Sequence, residues 1–370
     1  MRTYINNICY KKVLKCRSYF SGYKRLLHSL FYSYSITFDK KSDVDFYNVL
    51  FCDTTKLKNR RDYELMADRF HSELSENLDN VSRVCFYYSF NLIDIPFKML
   101  FVFKLVISHG ASIKEAIQFS QISRLEDILL PKIDTCRLRT IITFCDAHPE
   151  DNFIAQFFSK LRVRTFTLQH GFYVKDNSSI NSEVYNNFVS DYMLCWGRLS
   201  VNNLSNANVP QRKLISFGCF KPRLASQDNP ASKMIVIFLN GIHSSVINEE
   251  LICLHKKLIS FGVKNVKIKK HPDDRSLYGL PRDYFIDVDL MELIPYLDCG
   301  ILGGSGVFVD LYLHNVPFYI INSFWLPDEY SGLPQLGSEQ EILSNVISNQ
   351  IGTFSHDDLI NKDPDWDVFL

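Results

Sequence analysis

The chain has 370 residues, of which 46% are hydrophobic and 22% are charged. These values predict a folded protein with room for two domains and exclude a largely disordered chain. Lys and Arg together number 41, as do Asp and Glu, so the net charge gives no indication of a polyanionic partner.

Cysteine usage and hydropathy bear on location. The ten cysteines include no CxxC pair and no Cys/His spacing typical of zinc, which predicts reduced thiols in the cytoplasm. No stretch reaches the roughly 18 apolar residues that a membrane-spanning helix needs, and no signal-peptide core follows the start. We therefore expect a cytoplasmic protein.

Residues 1–40 form a basic N-terminal segment. Its Lys and Arg residues run from Arg2 to Arg25 with no acid before Asp39, and aromatic residues are interleaved with them. Such a segment suits the anionic inner face of a membrane. It is also compatible with a helix packed on the first domain with its basic face in solvent. Nucleic acid is not indicated, because no base-stacking motif follows.

Strand-like and helix-like segments alternate through residues 41–212, the predicted N-terminal domain. The predicted elements are strand 44–52, helix 62–78, strand 84–89, helices 95–109 and 113–120, strand 139–145, helix 151–161, and strands 163–168 and 192–195.

A polar, proline-containing stretch at 221–233 is typical of a linker. A second α/β series indicates a C-terminal domain at 213–350, followed by a tail at 351–370. Its predicted elements are strand 234–239, helix 247–261, strand 266–268, helix 290–297, strand 299–302, helix 307–314 and strand 318–321. This alternation predicts parallel sheets joined by right-handed crossovers. The predicted fold is α/β, with two Rossmann-like domains whose parallel sheets face each other across a cleft.

Three short motifs follow predicted strands. They are Gln169-His170-Gly171, Lys270-His271-Pro272 and Gly303-Gly304-Ser305-Gly306. Ligands bind at the carboxyl ends of strands in open α/β sheets, so we expect all three motifs to face one active site.

The glycine-rich motif precedes a predicted helix. Free backbone N–H groups there attract a phosphate, glycines allow close approach, and Ser305 adds a hydroxyl. A strand-to-helix turn that binds nothing would have the same sequence. It is neither a Walker loop nor the dinucleotide GxGxxG.

The two motif histidines are the candidates for chemistry. His170 could act as general base on an acceptor hydroxyl. His271 could donate to a phosphate, with Pro272 fixing the turn and Lys267, Lys269 and Lys270 raising the local potential. A histidine that only hydrogen-bonds a turn, or a surface turn with a basic rim, is the alternative. Asp146, Glu150 and Asp151 follow the strand at 139–145 and are reserve candidates for the base.

Asp287-Val288-Asp289 spells the DxD signature of metal-dependent glycosyltransferases of another fold. A capping box of Asp289 and Glu292 on the following helix explains it better, so no metal site is predicted.

In this order the motifs resemble those of GT-B-fold transferases of bacterial envelope synthesis. That group includes capsule polysialyl- and Kdo-type glycosyltransferases and CDP-glycerol glycerophosphotransferases. The similar stretch runs from about Phe144 to Ile321 and includes LQHG, DYMLCWG at 191–197, the strand at 215–218, KKHP, and GGSG followed by NVPFYI. This chain has Gly304-Ser305 where the group often has two serines, and Asp310 where it often has glutamate. The first 140 residues resemble no family that we can name.

The resemblance implies roles for individual residues. His170 would be the acceptor-activating base. From their positions in the sequence we add Gln169 and Gly171 on the acceptor side and Asp146 as a second catalytic candidate. The other candidates would bind the donor, with His271 and Ser305 on the phosphate of a cytidine-type nucleotide. These donor-side residues are Lys269, His271, Pro272, Gly304, Ser305, Gly306 and Asp310.

The sequence therefore predicts a metal-independent glycosyltransferase of capsule, O-antigen or lipooligosaccharide synthesis, without a resident cofactor. Its expected partners are a nucleotide-sugar donor, with CMP- and CDP-linked donors as the candidates, a glycan or lipid-linked acceptor, and the inner membrane surface. Three alternatives remain open: a polyol-phosphate transferase using a CDP-polyol, a non-hydrolysing nucleotide-sugar epimerase, and a non-catalytic GT-B binding module.

Overall fold

The computed structural model describes residues 4–5, 8–15, 22–39, 48–174, 187–224, 233–241, 245–271, 274, 276, 278–333, 335–350, 352 and 357–370. The chain forms two compact units. The N-terminal unit comprises Met1–Pro222 and Asp358–Leu370, and the C-terminal unit comprises Arg223–Asp357. Most of the predicted linker, 225–232, lies outside the described residues.

The N-terminal unit is built on a seven-stranded sheet with the order β3-β5-β4-β6-β7-β8-β9. All neighbouring pairs are parallel except β3 with β5, which is antiparallel. Its strands are β3 (Tyr32–Phe38), β4 (Val49–Asp53), β5 (Val81–Phe90), β6 (Thr140–Thr143), β7 (Arg164–Leu168), β8 (Tyr192–Cys195) and β9 (Leu214–Ser216). A separate antiparallel pair joins β1 (Tyr4–Ile5) to β2 (Ile8–Cys9).

Seven α-helices of this unit are described. They are α1 (Tyr10–Lys15), α2 (Gly22–Phe31), α3 (Arg61–Asn77), α4 (Ile95–His109), α5 (Ile113–Leu129), α6 (Pro149–Lys160) and α7 (Arg198–Asn206). Side chains on β4 alternate between two hydrophobic clusters: Leu50 and Cys52 belong to one, and Val49 and Phe51 to the other. Because successive strand residues point to opposite faces, the sheet is buried on both sides, as parallel sheets are.

The C-terminal unit contains a six-stranded, fully parallel sheet with the order β12-β11-β10-β13-β14-β15. Its strands are β10 (Met234–Phe238), β11 (Val266–Lys269), β12 (Phe285–Ile286), β13 (Leu297–Leu302), β14 (Phe318–Ile321) and β15 (Leu336–Gly337). Its helices are α8 (Ser245–Ser260), α9 (Leu290–Leu293), α10 (Val307–Leu313) and α11 (Glu339–Ile347).

The unit boundaries differ from the prediction. The units meet in sequence at Pro222 and Arg223 rather than at 212 and 213, because β9 pairs with β8 and so belongs to the N-terminal sheet. The predicted tail is divided as well, since residues from Asp358 onward belong to the N-terminal unit.

Two local predictions need correction. Part of the basic N-terminal segment, Tyr32–Phe38, is an edge strand paired antiparallel to β5. The predicted capping box does not form: the Asp289 side chain accepts a hydrogen bond from Met291 N, and the helix ends after four residues. Capping boxes occur instead at Ser112 with Glu115 and at Ser338 with Glu341.

Candidate active-site residues in the two units

His170 follows β7 in the N-terminal unit, where the sequence placed it. Its half-buried imidazole has Nδ1 at 2.9 Å from the Tyr173 hydroxyl and Nε2 at 3.9 Å from Cys145 Sγ. The ring of Tyr63 meets it edge-on, with centroids 5.4 Å apart. Aromatic walls and one hydroxyl therefore fix the orientation of the ring.

Gln169 holds this turn in place. Its buried amide accepts a hydrogen bond from Trp196 N at 2.8 Å and donates to the Gly171 carbonyl at 2.9 Å. The Trp196 indole N–H donates to the Gln169 carbonyl. The amide is thus occupied on both sides, so Gln169 positions His170 from the interior rather than facing an acceptor.

Gly171 is not required by the backbone conformation, because its φ is not positive and no described atom lies within 4 Å of a Cβ built there. The space beside it is open among the described residues.

Asp146 lies in the interior. One carboxylate oxygen accepts hydrogen bonds from Val189 N at 3.0 Å and Ser190 N at 2.9 Å. Burial raises the pKa of Asp146 despite these hydrogen bonds. A carboxylate that is 1% exposed and tied to two main-chain amides is suited to anchoring the segment at 187–190, not to removing a proton from a bound acceptor.

The neighbouring carboxylates are also engaged. Glu150 accepts hydrogen bonds from Lys58 Nζ at 2.8 Å and from the hydroxyls of Tyr34 and Tyr88 at 3.0 Å. Burial alone would raise the pKa of Glu150, but Lys58 and these hydrogen bonds outweigh it and lower the pKa to about 2. Asp151 accepts from Thr54 Oγ1 at 2.8 Å, and burial raises its pKa.

One group of side chains near His170 has the character of metal ligands. Cys145, His148 and His170 offer ligand atoms that all lie within 4.8 Å of one another. His148 Nδ1 lies 3.6 Å from the Asp151 carboxylate, an arrangement common behind metal-bound imidazoles. Burial raises the pKa of Cys145, which favours the neutral thiol until a cation displaces its proton. Thiolate and imidazole together suit Zn²⁺.

His148 was missed as a site residue because a His-Pro pair by itself is a weak pattern. Its position after β6, the strand next to β7, was the available signal, since the carboxyl ends of parallel neighbours lie together.

In the C-terminal unit, the two predicted motifs follow neighbouring strands. β10 lies between β11 and β13 in the sheet, so Asn240-Gly241, Lys270-His271 and Gly303-Ser305 follow three adjacent carboxyl ends. The His271 ring lies 3.8 Å from the position that a Cβ on Gly241 would occupy. The structure therefore brings His271 to the end of β10.

The glycine-rich turn packs closely. A Cβ on Gly303 would clash with Ile247 and would lie 2.8 Å from Asn240 Nδ2. Ser305 is half-buried, its hydroxyl accepts from Val307 N at 3.4 Å, and Gly306 is exposed. Gly304 is half-buried, and a Cβ built on it would meet Pro327, Leu326 and Tyr330 at ordinary contact distance. Helix α10 has only seven residues, so its dipole would contribute little to binding a phosphate. Side chains and loop amides are the groups here that could bind one.

The lysines before His271 have structural partners. The ammonium groups of Lys267, Lys269 and Lys270 donate to the main-chain carbonyls of Asp283, Val288 and Ser276. Lys269 thus braces the strand edge towards β12, and its predicted donor contact stays a prediction. Pro272 lies outside the described residues. Asp310 is buried on α10, and its carbonyl contacts His314 Nδ1 at 2.7 Å.

Asn240 is a candidate that the sequence did not reveal. It is 3% exposed, and within the described chain neither its side-chain nitrogen nor its side-chain oxygen has a hydrogen-bond partner. A buried amide without partners is costly in a protein interior. Its place beside Gly303, at the end of the central strand, makes it a candidate ligand group.

A hydrogen-bonded chain fixes the backbone around Asn240. Asn248 Oδ1 accepts from Asn240 N at 2.8 Å, and Asn248 Nδ2 donates to the Asn240 carbonyl at 3.1 Å. Asn248 Nδ2 also contacts the Tyr278 hydroxyl, which donates to Asp274 at 2.6 Å. Asp274 N in turn donates to the His271 carbonyl. Burial opposes ionisation of Asp274, but hydrogen bonds from Tyr278 and Ser276 lower its pKa.

Two aromatic residues follow β14, the strand beside β13. Phe324 is 92% exposed and Trp325 is 59% exposed, with their rings 5.4 Å apart. Exposed rings at the carboxyl edge of a sheet suit stacking on a nucleobase. The sequence pattern gave no reason to single them out.

No protein-family model and no curated protein matches the chain. Solved structures do. A UDP-GlcNAc 2-epimerase from Methanocaldococcus jannaschii, in complex with UDP-GlcNAc and UDP, matches with a TM-score of 0.50 and 11% identity, over 82% of this chain and 92% of that one. The UDP-N-acetylglucosamine 2-epimerase from Rickettsia bellii also gives a TM-score of 0.50 and 11% identity, over 87% and 90%.

At this identity the likeness concerns the fold alone. Together with the largely parallel N-terminal sheet and the parallel C-terminal sheet, it confirms the predicted GT-B class of α/β protein. No described helix has both the length and the hydropathy that a membrane crossing requires.

Proposed function

We propose that the protein is a glycosyltransferase of bacterial surface polysaccharide synthesis, in the class of the capsule and Kdo-type transferases. It transfers a sugar from a nucleotide-activated donor to a hydroxyl of a glycan or lipid-linked acceptor, without a metal. The observation that carries the proposal is the set of polar groups at three adjacent strand ends in the C-terminal unit. His271, Ser305 and the unpartnered Asn240 amide provide donors where α/β sheets bind nucleotides.

The donor would be held by its phosphate and its base. His271 and the Asn240 amide donate to phosphate oxygens, and loop amides around Ser305 complete the contact. These groups stabilise the negative charge that develops on the departing nucleotide. Phe324 and Trp325 supply faces for the nucleobase.

The acceptor would be activated by His170. If Nδ1–H donates to the Tyr173 oxygen at 2.9 Å, Nε2 keeps its lone pair and accepts the acceptor proton. Tyr173 is then a positioning residue that selects the tautomer. Asp146 has no part in this step, because its carboxylate is buried and bound to main-chain amides.

Epimerisation of a nucleotide sugar is the second candidate, favoured by the fold shared with the UDP-GlcNAc 2-epimerases. Such chemistry calls for acidic residues at the sugar. The three acids that follow β6, the strand beside β7, are instead buried and engaged: Asp146, Glu150 and Asp151. Donor consumption distinguishes the two: a transferase needs an acceptor for efficient turnover, whereas an epimerase converts the nucleotide sugar alone.

The donor site is tested by measuring the binding of a panel of nucleotides with calorimetry and thermal shift. CMP, CDP, UDP, GDP and ADP are compared without added metal. We expect one nucleotide to bind, His271→Ala to weaken it about tenfold, and His109→Ala, a half-buried histidine of the other unit, to bind normally. Preference for a cytidine nucleotide keeps both CMP-sugar and CDP-polyol donors open, and product analysis separates them. Binding of no nucleotide would overturn the proposal.

The base is tested by His170→Ala. Loss of a general base slows the chemical step by about 100- to 10,000-fold, while nucleotide affinity should stay at the wild-type value. Tyr173→Phe keeps the ring contact and removes the hydroxyl. We expect a smaller loss of turnover and a changed pH profile for it. A His170→Ala enzyme with normal turnover would exclude His170 as the base.

A further inference from the structure

Helix α4 exposes large apolar residues on its outer side, where a monomeric protein in water usually has polar ones. Leu92 and Ile93 precede the helix, and Phe97, Leu100, Phe103 and Ile107 lie on it. Their exposed fractions range from 54% for Leu92 to 80% for Ile93. We call these six residues the α4 apolar face.

The spacing shows that the face is continuous. Phe97, Leu100, Phe103 and Ile107 are separated by three or four positions, which places them on one side of a helix. The buried residues Lys98, Val102 and Leu105 are on the opposite side and pack towards the unit. Fifteen residues give a helix about 22 Å long. The outward face is therefore a long apolar strip of a kind that soluble monomers rarely expose.

Aromatic residues extend this strip at the N-terminal end of α4. Phe90, which is 62% exposed, stacks on Phe31 of α2 with centroids 6.4 Å apart. Leu27 and Lys24 of α2 line an open groove together with these two rings.

The charged residues on the two helices that form the strip are all basic. Neither α2 nor α4 contains an acidic residue. Exposed Lys24 stands on α2, Lys104 lies within the apolar strip of α4, and Lys114 follows at the start of α5. Asp94, at the beginning of α4, is bound to Ser33 and paired with Arg124.

Lys98 holds the two helices in this arrangement. Its buried ammonium group donates to the carbonyls of Ser29 at 3.0 Å, Leu30 at 3.2 Å and Tyr32 at 2.6 Å. These carbonyls are at the C-terminal end of α2, so a side chain from α4 satisfies groups that a helix end leaves open. The exposed strip is thus presented by a fixed scaffold.

We propose that the α4 apolar face lies in the headgroup region of a bilayer containing anionic lipids, with α4 parallel to the membrane plane. Apolar side chains enter the acyl boundary while Lys24, Lys104 and Lys114 remain at the phosphates. A second copy of the chain fits less well. In a two-fold interface each copy would bring the same lysines and no acidic partner from α2 or α4.

The inference rests on the proposed lipid-linked acceptor and refines the predicted membrane contact. The sequence assigned that contact to residues 1–40, but Tyr32–Phe38 pairs within the sheet. The surface proposed here is formed chiefly by α4, which the sequence predicted as a helix without a membrane role.

The test is co-sedimentation with vesicles. Wild-type protein is mixed with vesicles of phosphatidylcholine and phosphatidylglycerol, and with phosphatidylcholine alone. We expect binding to the anionic vesicles that weakens with salt. The double variant Leu100→Ser, Phe103→Ser should bind at least tenfold more weakly, because two large apolar side chains no longer enter the bilayer. Phe261→Ser removes a residue of similar exposure, 64%, from the other unit and should bind normally.

Lys104→Ala tests the charge, with Lys160→Ala, an exposed lysine on α6, as its control. Only the former should reduce binding to anionic vesicles. Equal binding by the wild type and the double variant would overturn the proposal. A wild-type dimer in sedimentation velocity that the double variant abolishes would overturn it too, by assigning the face to self-association. Nucleotide binding is measured on the same samples: if it persists while vesicle binding is absent, the membrane proposal fails and the donor site stands.

Discussion

Asn240 and Asn248 are two buried amides in contact with the same short stretch of backbone, yet they differ in how well they are satisfied. Asn248 bonds to both the N–H and the carbonyl of Asn240, whereas the Asn240 amide has no partner among the described residues. An unsatisfied buried amide costs about 1–3 kcal/mol. Retaining one beside a glycine-rich turn is understandable if a ligand completes it.

This contrast gives a paired prediction. Asn240→Leu should leave the free energy of unfolding unchanged or raise it, because the costly amide is gone, and should weaken nucleotide binding about tenfold. Asn248→Leu should lower the free energy of unfolding by about 1–3 kcal/mol, because the N–H and the carbonyl of Asn240 would lose their hydrogen bonds to Asn248. Urea unfolding and calorimetry measure both. Normal nucleotide affinity in Asn240→Leu would remove Asn240 from the donor site.

The Cys145, His148 and His170 group allows a second test at the scale of residues. If His170 is the base, Zn²⁺ bound by this group occupies the lone pair that catalysis needs. We expect micromolar Zn²⁺ to inhibit transfer and a chelator to restore it. Cys145→Ser should be less sensitive, while Cys136→Ser, which alters an exposed cysteine, should behave like the wild type. An enzyme that a chelator inactivates and zinc restores would contradict the metal-independent mechanism.

Sequence patterns located the histidines but not their surroundings. His170 and His271 follow apolar strands, and strand ends are where α/β sheets place ligands, so their positions were predictable. How deeply each side chain is buried was not predictable. Asp146 also follows a strand, yet its carboxylate is turned inward to Val189 and Ser190. Nothing in the pattern around Asn240 indicates an unpaired amide, because its side-chain surroundings include Gly303, which is more than sixty residues away in sequence.

At the scale of elements, Glu150 is the point where four segments meet. It lies in the first turn of α6 and binds Lys58 after β4, Tyr34 of β3 and Tyr88 of β5. Lys58 and Glu150 are both nearly inaccessible to solvent, so each compensates a charge that would otherwise be costly to bury.

The lowered pKa of Glu150 makes a signed prediction about acid stability. The folded pKa of about 2 lies below the unfolded value of about 4.3, so the ionised carboxylate stabilises the folded state above the unfolded pKa. That contribution, about 3 kcal/mol, is lost as the pH falls through the range between the two values. The stability difference between the wild type and Glu150→Gln should therefore be largest near neutral pH and shrink below pH 4. A difference independent of pH in chemical unfolding would show that Glu150 does not ionise as described.

Most elements could be predicted because apolar runs and helical spacing are local. The helix at 95–109 and the strands at 192–195 and 318–321 have the predicted bounds. β3 was missed although Tyr32, Tyr34, Ile36 and Phe38 alternate with smaller residues, because the basic charge nearby suggested a surface helix. The predicted capping box at Asp289 did not form, because the Asp289 side chain accepts from Met291 N at the second helical position rather than from the third.

At the scale of the whole molecule, the chain returns to the N-terminal unit after building the C-terminal one. Asn361 N donates to the Trp196 carbonyl at 2.7 Å, and the Asn361 amide donates to the Ser216 carbonyl at 2.9 Å. Gly197 makes this return possible, since a Cβ there would lie 2.6 Å from the Leu359 carbonyl oxygen. No local pattern predicts such a contact: residues 351–370 are polar and read as a tail, and only the folded sheet shows which groups they complete.

Phe369 is the residue of the returning C-terminal segment that is most deeply packed in the core of the N-terminal unit. Its ring is fully buried against Phe166 and Phe217, and its carbonyl accepts hydrogen bonds from Thr140 Oγ1 at 2.8 Å and from Arg164 at 2.7 Å. Phe369→Ala should destabilise the N-terminal unit by about 3–5 kcal/mol, because the cavity forms in a packed core. Leu370→Ala, at an exposed neighbour, should cost almost nothing. Hydrogen exchange on peptides covering β6 and β7 measures the effect directly: protection of those strands should fall in Phe369→Ala alone, and unchanged protection would mean that the C-terminal segment is not part of this core.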